Sequence, residues 1–201
     1  MEKIKLTKHE LKRHKENLRR YNRFLPTLVA KKQQLQREIV RVKGEMARLK
    51  RAEEQARDGM RPWASLLAED VGLEEMITLK GIKRRWDNIA GVDIPLFRGA
   101  EIDVAEYDLL TTPLWVDSAV RVIGKMMEMA AEQAVLGEQL KLLSEELLIT
   151  TQRVNLFEKV KIPEAIEAIR RITIHLGDQQ TAAVVWAKMA KRKLEARSLC
   201  Q

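Results

Sequence analysis

Between Leu11 and Ala56 apolar residues recur every third and fourth position for more than six heptads, a spacing that excludes most of the folds open to a chain of this length. With Leu11 as heptad position a, the a set is Leu11, Leu18, Leu25, Lys32, Ile39, Met46 and Glu53, and the d set is His14, Tyr21, Leu28, Leu35, Val42, Leu49 and Ala56. Eleven of these fourteen are apolar. A repeat of about 3.5 residues gives a seam too narrow to serve as the face of a globular core, and only another helix buries it. At about 1.5 Å per residue such a helix is roughly 70 Å long. The question for the rest of the chain is therefore where that partner helix comes from.

That partner is readable after Thr112-Pro113, a cap followed by a proline at the first helical position. From there Val122, Met126, Met129, Gln133, Leu136, Leu140, Leu143, Leu147, Thr150, Val154 and Phe157 keep strict heptad spacing. Ile162-Pro163 then breaks the phase, and a new seam is expected at Ile166, Ile169, Thr173, Leu176, Gln180, Ala183, Ala187, Ala190 and Leu194. The first helix begins at a capping box, Thr7 with Glu10, and carries Pro26, which predicts a loosening near Tyr21 to Leu25. Lys32 and His14 in the seam read as register markers or as side chains reaching out to water. The expected fold is all-α, a long antiparallel two-helix coiled coil of N- and C-terminal helices. Setting Leu11 beside Leu194 would place Leu18 against Ala187, Leu49 near Phe157, and Pro26 level with Gly177 to Gln179.

The middle of the chain has another character. Asp58-Gly59 and Arg61-Pro62 end the first helix, and Trp63 to Leu79 reads as one or two short helices. From Lys80 to Pro113, glycines and prolines separate the β-favouring pieces Ile82 to Ile89, Val92 to Phe97 and Ile102 to Val104. These predict a small β-hairpin or irregular tip with Trp86, Gly91, Pro95 and Phe97 in it. Two strands alone are marginal, so Trp86 and Phe97 serve either to staple the hairpin to the helices or as exposed anchors for a partner. The expected organisation is one structural domain in three parts: residues 1–58, 59–112 and 113–201.

Nothing in the sequence converges on catalysis. There is no glycine-rich phosphate loop, no cysteine pair beside the lone Cys200, and no His-Glu-x-x-His, so no cofactor or metal is expected. No apolar run reaches membrane-spanning length, and the expectation is a soluble cytoplasmic protein without a direct membrane span. The net charge of +8 is unevenly held: residues 1–58 carry 18 Lys/Arg against 8 Asp/Glu, residues 59–158 carry 10 against 17, and residues 159–201 carry 9 against 4. A hairpin with Leu11 beside Leu194 would gather both basic ends at one tip, including Lys12, Arg13, Lys188, Lys191, Arg192 and Lys193, and suit an acidic partner. Nucleic acid is the poorer choice, because few aromatics interleave with the basic residues and no binding module is present.

Two segments resemble a known family, the D subunits of V-type and A-type ATP synthases. Gln152-Arg153-Val154-Asn155-Leu156-Phe157-Glu158-Lys159-Val160-Lys161-Ile162-Pro163 is similar to the family's R-V-N-x-x-E-x-x-x-I-P segment. So is the stretch from Leu176-Gly177-Asp178-Gln179-Gln180 through Ala182-Ala183-Val184-Val185 to Lys188-Met189-Ala190-Lys191, together with Leu6-Thr7-Lys8 and the Leu11 seam. The resemblance implies a non-catalytic central rotor shaft carrying torque between a membrane ion-translocating ring and a catalytic head. It implies that the basic end enters the ring of A and B subunits, that the F subunit binds the shaft's side, and that a socket subunit on the proteolipid ring holds the other end. The complex would place the chain peripherally on the cytoplasmic side of the membrane. Arg153, Asn155 and Glu158 lie beside seam positions Val154 and Phe157, where they either satisfy polar groups at the Ile162-Pro163 interruption or grip the F subunit. The competing readings are a coiled-coil adaptor or tether that dimerises in parallel and a basic helical nucleic-acid binder. The adaptor requires an intermolecular seam, and the binder requires affinity that falls steeply with salt.

Overall fold

The computed structural model describes residues 5–62, 65, 72–107 and 112–198, with the side chains of 74–75 and 194–198 excepted. Cys200 and most of the expected short helices between Trp63 and Leu79 lie outside the described residues. The element order is α1 (Lys8–Met60), α2 (Leu73–Met76), β1 (Ile77–Ile89), β2 (Val92–Val104), α3 (Trp115–Leu156), a π-turn (Phe157–Lys161) and α4 (Ile162–Ser198). The chain is thus mostly helical with a two-stranded antiparallel hairpin. It divides into two compact units, residues 1–30 with 150–201, and residues 31–149.

The heptad reading of α1 holds throughout: all fourteen seam positions are buried or half-buried, while most residues between them are exposed. Thr7 caps the helix as expected, its Oγ1 accepting from the Glu10 N–H at 3.3 Å. Pro26 sits inside α1 without ending it. α3 starts at Trp115, two residues later than Pro113, whose carbonyl accepts from the Val116 N–H at 3.0 Å.

In the unit of residues 31–149, Leu35, Ile39, Val42 and Leu49 of α1 form one buried cluster with Met129, Leu136 and Leu143 of α3 and Ile94 of β2. Each fully buried leucine of this kind contributes roughly 1.5–3 kcal/mol. Lys31 Nζ donates to Glu146 Oε1 at 2.6 Å beside this cluster, and it is Lys31, not its seam neighbour Lys32, that makes the interhelical ion pair.

The hairpin is larger than the small tip expected from the sequence. Its strands are thirteen residues each, paired from Ile77↔Val104 to Ile89↔Val92. Gly81 and Gly99 look like breaks in the sequence, yet each lies beside a register shift that lets the strand absorb an extra residue and continue. Ile77 and Thr78, β-branched, begin the first strand three residues before Lys80. The turn is a two-residue loop in which Ala90 and Gly91 both have positive φ, 54° and 77°. Asn88 braces it, its Oδ1 accepting from the Gly91 N–H and its Nδ2 donating to Asp93.

The hairpin is also no free tip, because β2 packs on the helices. Ile94 and Pro95 are buried, Gln139 Nε2 donates to the Pro95 carbonyl at 2.6 Å, and Arg84 pairs with Glu138 at 2.8 Å. Its turn reaches Lys31, whose Nζ lies 3.8 Å from where a Cβ on Gly91 would stand. At the other end Ile77, Val116 and Val120 form a second buried cluster. There a Cβ on Gly124 would come within 3.3 Å of Ile77 Cδ1. Gly124→Val should therefore lower stability by about 1–3 kcal/mol through overpacking, measured by urea titration, and Ile77→Val should recover part of the loss.

Candidate interaction surfaces

In the unit of residues 1–30 and 150–201, the ring of Tyr21 lies against that of Phe157, with centroids 5.3 Å apart. This corrects the expected register: Phe157 meets Tyr21 instead of the neighbourhood of Leu49, a difference of about four heptads. Equal heptad spacing in both helices lets many registers satisfy the apolar seam, and the aromatic pair selects one.

The second seam is corrected by one residue. The buried positions are Ala165, Ala168 and Ile172, not Ile166, Ile169 and Thr173, and Ile166 is 52% exposed. The π-turn explains the shift. Pro163 has no N–H to offer the Lys159 carbonyl and its ring crowds that turn, and the chain responds by widening, with Ile162 N–H reaching back five residues to the Phe157 carbonyl. An unbroken heptad after Phe157 would bury positions 164 and 171; the one residue that the π-turn adds moves that phase on by one, to Ala165 and Ile172, whereas the expected seam had moved it on by two.

Beyond Ile172, no residue from Thr173 to Lys193 is buried. The stretch nevertheless exposes Ile174, Val184, Val185, Trp186 and Met189, with Trp186 71% accessible. Lys188, Lys191, Arg192 and Lys193 are exposed among them, while Lys12 and Arg13 lie exposed near the start of α1. The unit carries 19 Lys/Arg against 8 Asp/Glu, and the other unit 18 against 21, so +11 and −3 together give the chain's +8. Large apolar side chains in a strongly basic setting are the composition of a surface that another macromolecule covers.

Arg153, Asn155 and Glu158 are all exposed around buried Val154 and half-buried Phe157, and among the described residues neither Arg153 nor Glu158 enters an ion pair. Glu158 belongs to the π-turn itself. Of the hairpin residues, Pro95 is buried, Phe97 half-buried, Gly91 lies in the turn, and Trp86 is 60% exposed opposite Pro95. The packing staple is therefore Ile94 with Pro95, and Trp86 stands on the solvent side. Sequence reading missed Gln139, whose buried amide pins the Pro95 carbonyl; a lone glutamine off the seam gave no periodic signal.

One charged cluster is tightly organised. Glu167 accepts from Arg170 at 2.8 and 2.9 Å and from Arg171 Nε at 2.8 Å. The hydrogen bonds from Arg170 and then Arg171 pull its carboxyl from the ordinary 4.5 down to about 2. Because the folded value is depressed, the cluster's contribution is present above 4.5 and disappears as pH falls toward 2. Carboxyl NMR should find the Glu167 midpoint near 2, and Arg170→Gln should raise it toward 4.5. Among the described residues no group of histidine, cysteine or acidic side chains is arranged to hold a metal, and no helix is long and apolar enough to cross a membrane.

Comparison with known proteins adds the family. Residues 10–192 match the family model that describes the D subunit of ATP synthase. The chain is 45% identical to the V-type ATP synthase D subunit of Borreliella burgdorferi, over 96% of both chains. It is 37% identical to the protein of that name from Chlamydia muridarum, again over 96% of both, and 35% identical to that from Chlamydia pneumoniae, over 96% of this chain and 94% of the relative. With its matched length, its two long apolar seams and its Arg153 to Pro163 segment, the chain belongs to the D-subunit family of ATP synthases.

Proposed function

We propose that this chain is the central rotor shaft of a V/A-type ATP synthase, transmitting torque between the membrane ion-translocating ring and the catalytic head, and that it catalyses nothing itself. The observation that carries the proposal is the stretch from Thr173 to Lys193, roughly 30 Å of helix with exposed apolar and basic side chains and no buried residue. Its chemistry suits insertion into a ring of other subunits. In this reading α1 pairs with α3 and α4 as an antiparallel two-helix coiled coil, and three parts, residues 1–58, 59–112 and 113–201, act as one body. On that pairing, continued from Tyr21 beside Phe157, α1 ends near the level of residue 170, and Lys188 to Lys193 project roughly 27–35 Å beyond Lys8. The projecting basic end with Lys188, Lys191, Arg192 and Lys193 enters the ring of A and B subunits, and Lys12 and Arg13 lie at its mouth.

Arg153, Asn155 and Glu158, exposed at the π-turn, form part of the surface for the F subunit. The end of the rod opposite α4's terminus meets the socket subunit on the proteolipid ring, and the chain sits on the cytoplasmic side. Trp86, standing out from the hairpin, is a contact for a neighbouring subunit.

The test is reconstitution of the complex from its subunits. ATP-driven ion transport should require this chain, while the isolated chain should show no saturable ATP binding in calorimetry at micromolar nucleotide. Arg153→Ala with Glu158→Ala should weaken capture of the F subunit while leaving helicity unchanged. The parallel adaptor is separated by a single cysteine: Leu18→Cys in a Cys200→Ser background should remain reduced, and an interchain disulfide there would restore the adaptor reading.

A further inference from the structure

Each helix of the first unit contains one backbone defect, and an aromatic contact joins them. In α1, Pro26 removes the hydrogen bond that the Asn22 carbonyl would otherwise receive and crowds the preceding turn. Tyr21 is the residue before that orphaned carbonyl. In the C-terminal chain the π-turn Phe157–Lys161 has its wide bond from Ile162 to Phe157, and Pro163 leaves the Lys159 carbonyl without its usual donor. Phe157, the first residue of that turn, is the ring that meets Tyr21 at 5.3 Å. Around the contact the surface is open: Phe24 is 54% exposed, Leu156 45% and Val160 39%. Few buried groups therefore resist opening at this height, whereas Val154 on one side and Ala165, Ala168 and Ile172 on the other are buried.

We propose that the Pro26 turn and the π-turn are a single flex point, opening and closing together through the Tyr21–Phe157 contact. Either defect alone would produce a local fraying of one helix. Joined by a shared ring contact, a widening of the π-turn displaces Phe157 and so releases Tyr21, and loosening of α1 at Asn22 to Pro26 does the reverse. The coupling is reciprocal, as any linkage between two local equilibria must be. Its consequence for a shaft, that the first unit yields at this height when twisted, rests on the rotor reading above; the coupling itself does not.

Amide hydrogen exchange on the full-length chain tests it without partner subunits. In the wild type, residues 22–30 and 157–162 should exchange faster than residues 11–20 and 145–153, and with a common opening equilibrium. Pro26→Ala restores the missing donor and should slow both stretches by about tenfold or more. Pro163→Ala should do the same from the other side. In a Phe157→Leu background, Pro26→Ala should slow residues 22–30 only. Slowing confined to the mutated helix in the otherwise wild-type chain would overturn the proposal, as would two stretches already as protected as their flanks. Normal ATP-driven ion transport by a complex reconstituted without this chain, with these exchange patterns as expected, would count against the shaft reading alone.

Discussion

A chain that stops at Leu176 should melt within about 3 °C of the full-length protein, yet support no ATP-driven ion transport when reconstituted with the other subunits. The two halves of that expectation come from the same burial pattern. Among the described residues, removing 177–201 takes away no buried side chain, since none lies between Thr173 and Lys193, so the packing that determines stability stays intact. The same cut removes Val184, Val185, Trp186 and Met189, apolar groups that no described residue covers, along with the basic cluster Lys188 to Lys193. Scanning calorimetry and a transport assay on one preparation settle it. A large drop in melting temperature would mean that this stretch folds back on its own chain, and normal transport would mean that it is not the driven end.

Ile94→Ala should cost about 2–5 kcal/mol and loosen the hairpin from the helices. Ile94 is fully buried and is the one fully buried β2 residue in the cluster of Leu35, Val42, Leu136 and Leu143, so truncating it opens a cavity bounded by two helices and a strand. A two-stranded sheet is marginal alone, and what then remains is the buried Gln139 to Pro95 hydrogen bond, the exposed Arg84 to Glu138 pair, the partly buried Ile89, Val92 and Leu96 beside the cluster, and Ile77 at the far end. Urea titration should show the loss, and limited proteolysis should cut between Ile77 and Val104 before it cuts α1 or α3. The converse variant, Trp86→Ala, removes an exposed side chain and should leave stability unchanged within about 0.5 kcal/mol.

The helices were legible because a single periodicity governs them: seam positions from Leu11 to Ala56 are the ones that lose exposure. Their register was not. Heptads repeat, so sliding one helix by whole heptads keeps leucine against leucine, and only aperiodic features such as Tyr21, Phe157 and the Lys31–Glu146 pair distinguish one setting from another. The one-residue slip after Phe157 was hidden for a related reason. Ile162-Pro163 announces an irregularity, but whether a helix breaks, kinks or widens there depends on what the neighbouring turn packs against. The hairpin was visible in outline from its β-branched pieces, while its length was obscured by Gly81 and Gly99, which read as punctuation and act as bulges. For the candidate surfaces, sequence alone singled out the basic residues. It gave no means of knowing that Ile166 and Trp186 would be left outside, since burial is a property of the pairing and not of the residue.

The buried cluster of the second unit joins residues that are far apart in synthesis order. Leu35 and Val42 leave the ribosome roughly a hundred residues before Leu136 and Leu143 exist to cover them. At about 5–20 residues per second, α1 waits some 5–20 s with an apolar seam exposed. The hairpin matures earlier in that interval, because its turn joins neighbours and its pairing is local, and Ile94 is the first member of the cluster able to reach α1. Two nascent α1 helices on adjacent ribosomes present identical seams to each other during the delay. A parallel dimer of these segments is thus the characteristic kinetic trap of this sequence, and early docking of the hairpin on α1 is what shortens the chain's exposure to it.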